Sequence, residues 1–212
     1  MQLLLLDNAW VVCEAAPPVP SRILISGDRI EAVGTEDTTV VPEGAKTIDV
    51  FGRRVVAGFI DMHIFGANGA SFIDATDEAI AEVLRFVARA GTTAVLATLP
   101  PAPEEELIRA LQAIAQFRGI DDGARIVGVH LDGPFLNPQY AGHHDPAHFR
   151  LPAIDEIQRL WEASEGTIRQ VTIAPELPGA IAAIEYMREL GISVALGYTG
   201  ADFRTARRAV AY

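Results

Sequence analysis

The 212 residues carry a formal net charge of -11, half of them are hydrophobic, the mean hydropathy is +0.21 and the isoelectric point lies near 4.8. That acidity leaves no basic surface to hold a nucleic-acid backbone. The apolar content argues for a large core and against disorder, and the single cysteine, Cys13, excludes an internal disulfide and a thiolate-rich metal site.

The chain opens Met-Gln-Leu-Leu-Leu-Leu-Asp, which reads as a strand and not as a signal peptide. Up to about residue 57 the pattern is short and β-like, with runs at Leu3 to Leu6, Val11 to Val12, Ile23 to Ile25, Ile30 to Val33 and Thr47 to Val50. Turn signals at Gly27-Asp28 and Pro42-Glu43-Gly44 predict short antiparallel strands between them. The lone thiol of Cys13 reads as packing.

After Val55 the rhythm becomes strand then helix, repeated. Val56 to Met62 predicts a strand, and Ile80, Val83, Leu84 and Val87 form one helical face behind Thr76, with Gly91 as the stop. Thr93 to Leu99 predicts the next strand. Pro103 and three glutamates then open a helix burying Leu107, Ala110, Leu111 and Ile114. The remaining units are a strand at Arg125 to Leu131 and a helix after Pro152 with Ile157, Leu160 and Trp161, then a strand at Gln170 to Ala174 and a helix after Pro178. A strand at Ile192 to Leu196 and a helix near Phe203, Ala206 and Val210 end the series.

Five such units predict parallel β/α architecture, either an open doubly wound sheet or part of a (β/α)8 barrel. No Gly-x-Gly-x-x-Gly follows the first strand, which weakens a dinucleotide site. The longest uncharged run, Ala90 to Pro103, is too short and proline-broken to span a bilayer, so a soluble, cytoplasmic protein is expected, binding neither membrane nor nucleic acid.

Polar clusters fall at the carboxyl ends of these strands, where α/β proteins place their chemistry. Asp61 and His63 stand two apart on one strand and could face one cavity, or could be a buried His bonded to a neighbouring carboxylate. His130 and Asp132 share a strand face. The loop that follows, broken by glycine and proline, carries His143 and His144. Asp132 could bind a metal through oxygen and His143 or His144 could contact a substrate oxygen, or the loop could be a rigid surface loop with solvated histidines. Glu176 reads as a helix-leading acid beside Pro178, and Tyr198 as an aromatic at a strand mouth.

At these residues the sequence resembles the N-acetylglucosamine-6-phosphate deacetylase family of the amidohydrolase superfamily. Val56-Ala57-Gly58-Phe59-Ile60-Asp61-Met62-His63 resembles its first barrel strand, and Gly91-Thr92-Thr93 with Ala97-Thr98-Leu99 its second. His130-Leu131-Asp132-Gly133-Pro134-Phe135-Leu136-Asn137 resembles its His-Leu-Glu-Gly-Pro-Phe motif, continued by Gly142 to Pro146. Thr172 to Glu176 and Leu196-Gly197-Tyr198-Thr199 resemble its fourth and fifth strands.

The resemblance implies a partial (β/α)8 TIM-like barrel of the metal-dependent amidohydrolase type over residues 58–212, with a small N-terminal β-sandwich-like domain over residues 1–57. It implies hydrolysis of the acetamide of N-acetylglucosamine 6-phosphate, a phosphorylated amino sugar, assisted by zinc or iron. Five strands leave apolar edges and helix faces to be covered, and a homodimer is expected to cover them, with a separately encoded second half or a local rearrangement as alternatives. On the family pattern Asp132, His63 and Tyr198 occupy metal positions and His143 and His144 substrate positions, while the family's catalytic Asp falls beyond Tyr212. Two positions depart from the pattern: Asp132 stands for the family's Glu, and Tyr198 for a His. Many relatives carry His-x-His on the first strand, where this chain has His63 and Phe65. Those departures leave open a catalytically impaired or inactive descendant serving as a binding or assembly module. A cyclic-amide substrate is a further alternative.

Overall fold

The computed structural model describes residues 3–13, 16–117, 119, 120 and 122–211, and the chain divides into two compact units, residues 1–57 and 58–212. In the first, β1 (Leu3–Cys13) pairs antiparallel with β2 (Ala16–Ser26), which pairs antiparallel with β3 (Arg29–Gly34). Two further strands, β4 (Lys46–Asp49) and β5 (Arg54–Val55), run parallel to β1, so the sheet is mixed where short antiparallel strands were expected. The two runs expected at Leu3 to Leu6 and Val11 to Val12 are one strand. Asp7-Asn8 between them is a bulge, with Asn8 at φ 57°, and the ladder resumes at Ala9. Leu5, Ala9, Ile23 and Leu24 are buried in this unit. The side chain of Cys13 and all of Tyr212, with the readings placed on them, lie outside what is described.

The second unit alternates as its periodicity predicts. Strand β6 (Phe59–Ile64) is followed by a small hairpin, β7 (Gly66–Ala67) and β8 (Ala70–Ser71), and then by α1 (Asp77–Arg89). Next come β9 (Thr92–Leu99), α2 (Glu104–Gln116), β10 (Arg125–Leu131) and α3 (Ile154–Ala163). β11 (Ile168–Ile173), α4 (Ala180–Glu189), β12 (Ser193–Leu196) and α5 (Phe203–Val210) close the series. The sheet order is β6-β9-β10-β11-β12, parallel throughout, so each unit adds its strand beside the last as in a barrel wall.

Local chemistry explains the boundaries. The Thr76 hydroxyl accepts the Ala79 N–H at 3.2 Å and caps α1, and Gly91 at φ 93° ends its turn. Strand β6 starts at Phe59, three residues later than its apolar run, and Gly58 before it lies against Thr93, where a Cβ would meet Cγ2 at 2.1 Å. The expected faces of α1 and α2 are the buried ones, and Ile157 and Leu160 of α3 join the same core. Helix α5 differs: Ala209 is buried, while Phe203 and Val210 of the expected apolar face are 81% and 76% exposed. Among the described residues no helix is long and apolar enough to cross a membrane.

Candidate active site at the carboxyl ends of the strands

Strand β10 sets out the centre of the site. In its alternation His130 and Asp132 face the same way, and both are buried. His130 lies in register with Thr98 of β9 and Gln170 of β11. Its Nε2 meets Thr172 Oγ1 at 2.8 Å and Gln170 Nε2 at 3.3 Å, which leaves Nδ1 turned toward His63 Nδ1 at 3.3 Å. His63 thereby keeps its Nε2 for Asp132, 3.9 Å from Oδ2.

His63 reaches this place through a break in its strand. The β6–β9 ladder shifts between Asp61 and Ile64, and the Ile64 N–H donates to the buried Thr98 hydroxyl at 3.0 Å. Asp61 does not join the cavity. Its carboxylate accepts the backbone N–H of His63 at 3.0 Å, so neither alternative for the Asp61–His63 pair describes what forms.

The loop after β10 returns over the centre. His144, buried, approaches Asp132 Oδ2 with Nε2 at 2.9 Å, so its ring is held on the carboxylate. His143 is exposed, and its ring centre lies 4.2 Å from that of His144. Phe65 makes T-shaped contacts with His63, His143 and His144 at centroid distances of 5.0, 5.9 and 5.9 Å. With Pro100, Pro101, His143, His144 and Asp145 it lines a cavity of about 300 Å³.

From β12, Tyr198 donates its hydroxyl to Asp132 Oδ2 at 3.1 Å. Tyr198 sits at φ 50°, and its ring fills the space that a side chain at Gly142 would need. The charges follow from these contacts. Burial drives the His130 imidazole down to about 4 against the pull of the Asp132 charge, so it is neutral at neutral pH. Burial pushes the Asp132 carboxyl up, but hydrogen bonds from His144 and Thr172 and the nearby imidazoles outweigh it and hold the group below the usual carboxylate range. Burial, then the Asp132 charge, push the Tyr198 phenol up to about 12.

No family model matches the chain. Among curated proteins it is 35% identical over 159 residues to the N-acetylglucosamine-6-phosphate deacetylase of Vibrio furnissii, covering 74% of this chain and 40% of that protein. It is 32% identical over 170 residues to the enzyme of the same name from Lysinibacillus sphaericus, covering 79% and 44%. A solved N-acetyl-D-glucosamine-6-phosphate deacetylase from Mycobacterium smegmatis, in complex with N-acetyl-D-glucosamine-6-phosphate, superposes with a TM-score of 0.82 at 34% identity, over 99% of this chain and 53% of that one. This chain belongs to the N-acetylglucosamine-6-phosphate deacetylase family. It spans less than half the length of those curated relatives.

That family's barrel is of the amidohydrolase type, and β6 to β12 with their helices form a five-stranded parallel part of it. The family is metal-dependent, and the donors present suit a divalent cation. Two groups, His63–His130–Asp132 and Asp132–His143–His144, bring ligand atoms within 4.8 Å of one another, with Asp132 common to both. Zinc–ligand bonds near 2.0–2.1 Å place tetrahedral donors about 3.3 Å apart, and the separations of 2.9 and 3.9 Å from Asp132 Oδ2 to His144 and His63 bracket that value. An ionised carboxylate and a neutral imidazole are the protonation states that ligation needs. Tyr198, where the sequence resemblance places a ligand, meets Asp132 as a hydrogen-bond donor.

Three residues came together unforeseen. Thr172 and Gln170 orient His130 from the alternating face of β11, a period-2 signal present in the sequence. Glu176 leads no helix, since α4 begins at Ala180 behind Gly179. Its carboxylate instead accepts the Asn137 amide at 2.8 Å, the Gly200 N–H at 2.7 Å and the Thr199 hydroxyl, joining three strand-end loops.

Proposed function

We propose that this chain contributes the Asp132 centre of a metal-dependent hydrolase that removes the acetyl group of N-acetylglucosamine 6-phosphate, giving glucosamine 6-phosphate and acetate. The observation that carries the reading is Asp132, ionised and buried, with His63, His144 and Tyr198 converging on Oδ2 at one strand mouth. In this reading Asp132 and His63 hold the cation, zinc or iron, and His143 and His144 contact substrate. The bound cation would supply Lewis acidity and lower the pKa of water. His130 keeps His63 oriented, and Phe65 with Pro100 and Pro101 keeps water from one side of the cavity.

Residues 58–212 would form the catalytic barrel wall and residues 1–57 the family's small β domain, in a cytoplasmic homodimer. The Escherichia coli O157:H7 relative, 35% identical over 153 residues, bears the name N-acetylgalactosamine-6-phosphate deacetylase, so the 4-epimeric sugar is to be assayed beside the first. The deciding experiment measures acetate release from both sugar phosphates with zinc- or iron-loaded protein, alongside metal analysis and light scattering. Absence of bound metal together with absence of acetate would reject this reading.

Tyr198 supports a second reading. A phenol donating to Asp132 where the family resemblance places an imidazole suits a descendant that binds without turning over. Under it the Tyr198→His variant binds the cation and still releases no acetate.

A further inference from the structure

We propose that Glu176 is a positioning residue: it clamps the turn after β12 so that the Tyr198 hydroxyl stays on Asp132, and through that contact it sets the affinity of the site for a divalent cation. The inference rests on the reading above only in assigning the cation to Asp132.

Tyr198 occupies the left-handed region at φ 50°. For a residue with a Cβ that conformation is disfavoured, so the surrounding structure must impose it. The restraints are visible on both sides of the residue. Its carbonyl accepts the Asn137 N–H at 3.1 Å. The next two residues are held by one carboxylate, because Thr199 donates its hydroxyl to Glu176 Oε2 and Gly200 its N–H to Oε1 at 2.7 Å. Asn137 closes the circuit by donating its side-chain amide to the same Oε1 at 2.8 Å. Glu176 and Asn137 therefore grip the backbone of Tyr198 from two strand-end loops, and Asn137 lies five residues beyond Asp132 on the loop that carries His144.

Those three donors are uncharged, so an ionised acceptor strengthens each bond relative to a neutral one. Burial alone would raise the Glu176 carboxyl, yet these contacts hold it below its ordinary range. Fixing Tyr198 matters because its hydroxyl and His144 both occupy Asp132 Oδ2, leaving Oδ1 with His130 at 3.9 Å. Outer partners that orient a ligating carboxylate typically change metal affinity by about 10–100-fold.

The test combines a structure with a titration. In crystals of metal-free Glu176→Ala protein the Tyr198 hydroxyl is expected beyond hydrogen-bond reach of Asp132. Calorimetric titration with zinc should show an affinity about tenfold weaker for Glu176→Ala and near the starting value for Glu176→Gln, whose amide oxygen can still accept from Gly200. In a Tyr198→Phe background Glu176→Ala should add no further loss. A Tyr198 hydroxyl still on Asp132, or an equal loss in the Tyr198→Phe background, would overturn the proposal. Should Glu176→Ala fail to fold, Thr199→Val removes one arm of the clamp and should weaken zinc binding a few-fold; unchanged affinity there counts against Glu176. Protein that binds no zinc in any form defeats the proposed function, while the metal-free crystal structure still decides the role of Glu176.

Discussion

The Tyr198 hydroxyl and Asp132 Oδ2 stand 3.1 Å apart, and that contact joins the two positions where this chain departs from its family's pattern. On the resemblance read from the sequence, the family motif has a carboxylate one methylene longer at 132 and an imidazole at 198. A shorter acid with a phenol bridging to it keeps a polar contact across the gap, with a donor in place of a ligand. Tyr198→His should offer a nitrogen to the cation and tighten zinc binding at least tenfold, whereas Tyr198→Phe should weaken it about tenfold by freeing Asp132 to turn. Calorimetric titration of both variants checks this, and equal affinities would show that residue 198 does not reach the cation site.

Acid should destabilise the second unit in two stages. The folded His130 titrates near 4 against an ordinary value near 6.5. Between those values the unfolded chain binds a proton that the folded chain does not, so stability is full above about pH 6.5 and falls as pH drops toward 4. Asp132, held below its ordinary 3.8, contributes stability above that value and loses it as pH falls through its lowered folded value. Urea midpoints followed by circular dichroism at pH 7, 5.5 and 4.5 should therefore decrease in that order. His130→Gln should flatten the change between 7 and 4.5.

Thr98 is fully buried, and its hydroxyl accepts the Ile64 N–H where the β6–β9 ladder breaks beside His63. Thr98→Val keeps the shape but leaves that N–H without its acceptor, which costs about 1–3 kcal/mol. The further consequence is local: β6 is free to shift and His63 to leave Asp132. Chemical denaturation should report the loss of stability, and zinc titration a weaker site. A Thr98→Val variant that is less stable yet binds zinc unchanged would show that the ladder break does not place His63.

The second unit was legible because its signals are local. Thr76, Pro103 and Gly91 mark helix boundaries within a few residues of the apolar face they bound, and His130 with Asp132 follows from strand alternation alone. What escaped depends on partners far along the chain. Glu176 looked like a helix-leading acid because its acceptor role is set by Asn137, 39 residues away, and by Thr199, 23 residues away. The Asp61–His63 spacing allowed a shared cavity or a buried His on a carboxylate, but both readings assume an unbroken ladder, and the ladder shifts there, with the Ile64 N–H on Thr98 of the neighbouring strand. Leu3 to Leu6 and Val11 to Val12 read as separate runs because an extra residue interrupts the strand's alternation, and only pairing with β2 makes Asp7-Asn8 a bulge within one strand.

Arg150 should hold the site loop in place from below. Its guanidinium meets Glu156 Oε1 at 2.7 Å and donates through Nη1 to the carbonyls of Ala102 at 2.9 Å and His148 at 3.0 Å. Its backbone N–H donates to the Pro134 carbonyl at 3.2 Å, so one residue ties both ends of the loop bearing His143 and His144 to the starts of α2 and α3. Glu156 is 6% exposed. Arg150→Ala strands that carboxylate without its cation, a change that costs about 3–5 kcal/mol for a fully buried pair and somewhat less here, since the arginine retains partial access to water. Replacing both partners with apolar residues, Arg150→Met with Glu156→Leu, removes the unpaired charge and should recover most of that loss. The loop itself is not restored in the double variant, because the carbonyls of Ala102 and His148 still lack their donor. Limited proteolysis should cleave between residues 133 and 150 faster in both variants than in the parent. Equal protection in all three would show that the loop is held by its own turns and owes nothing to Arg150.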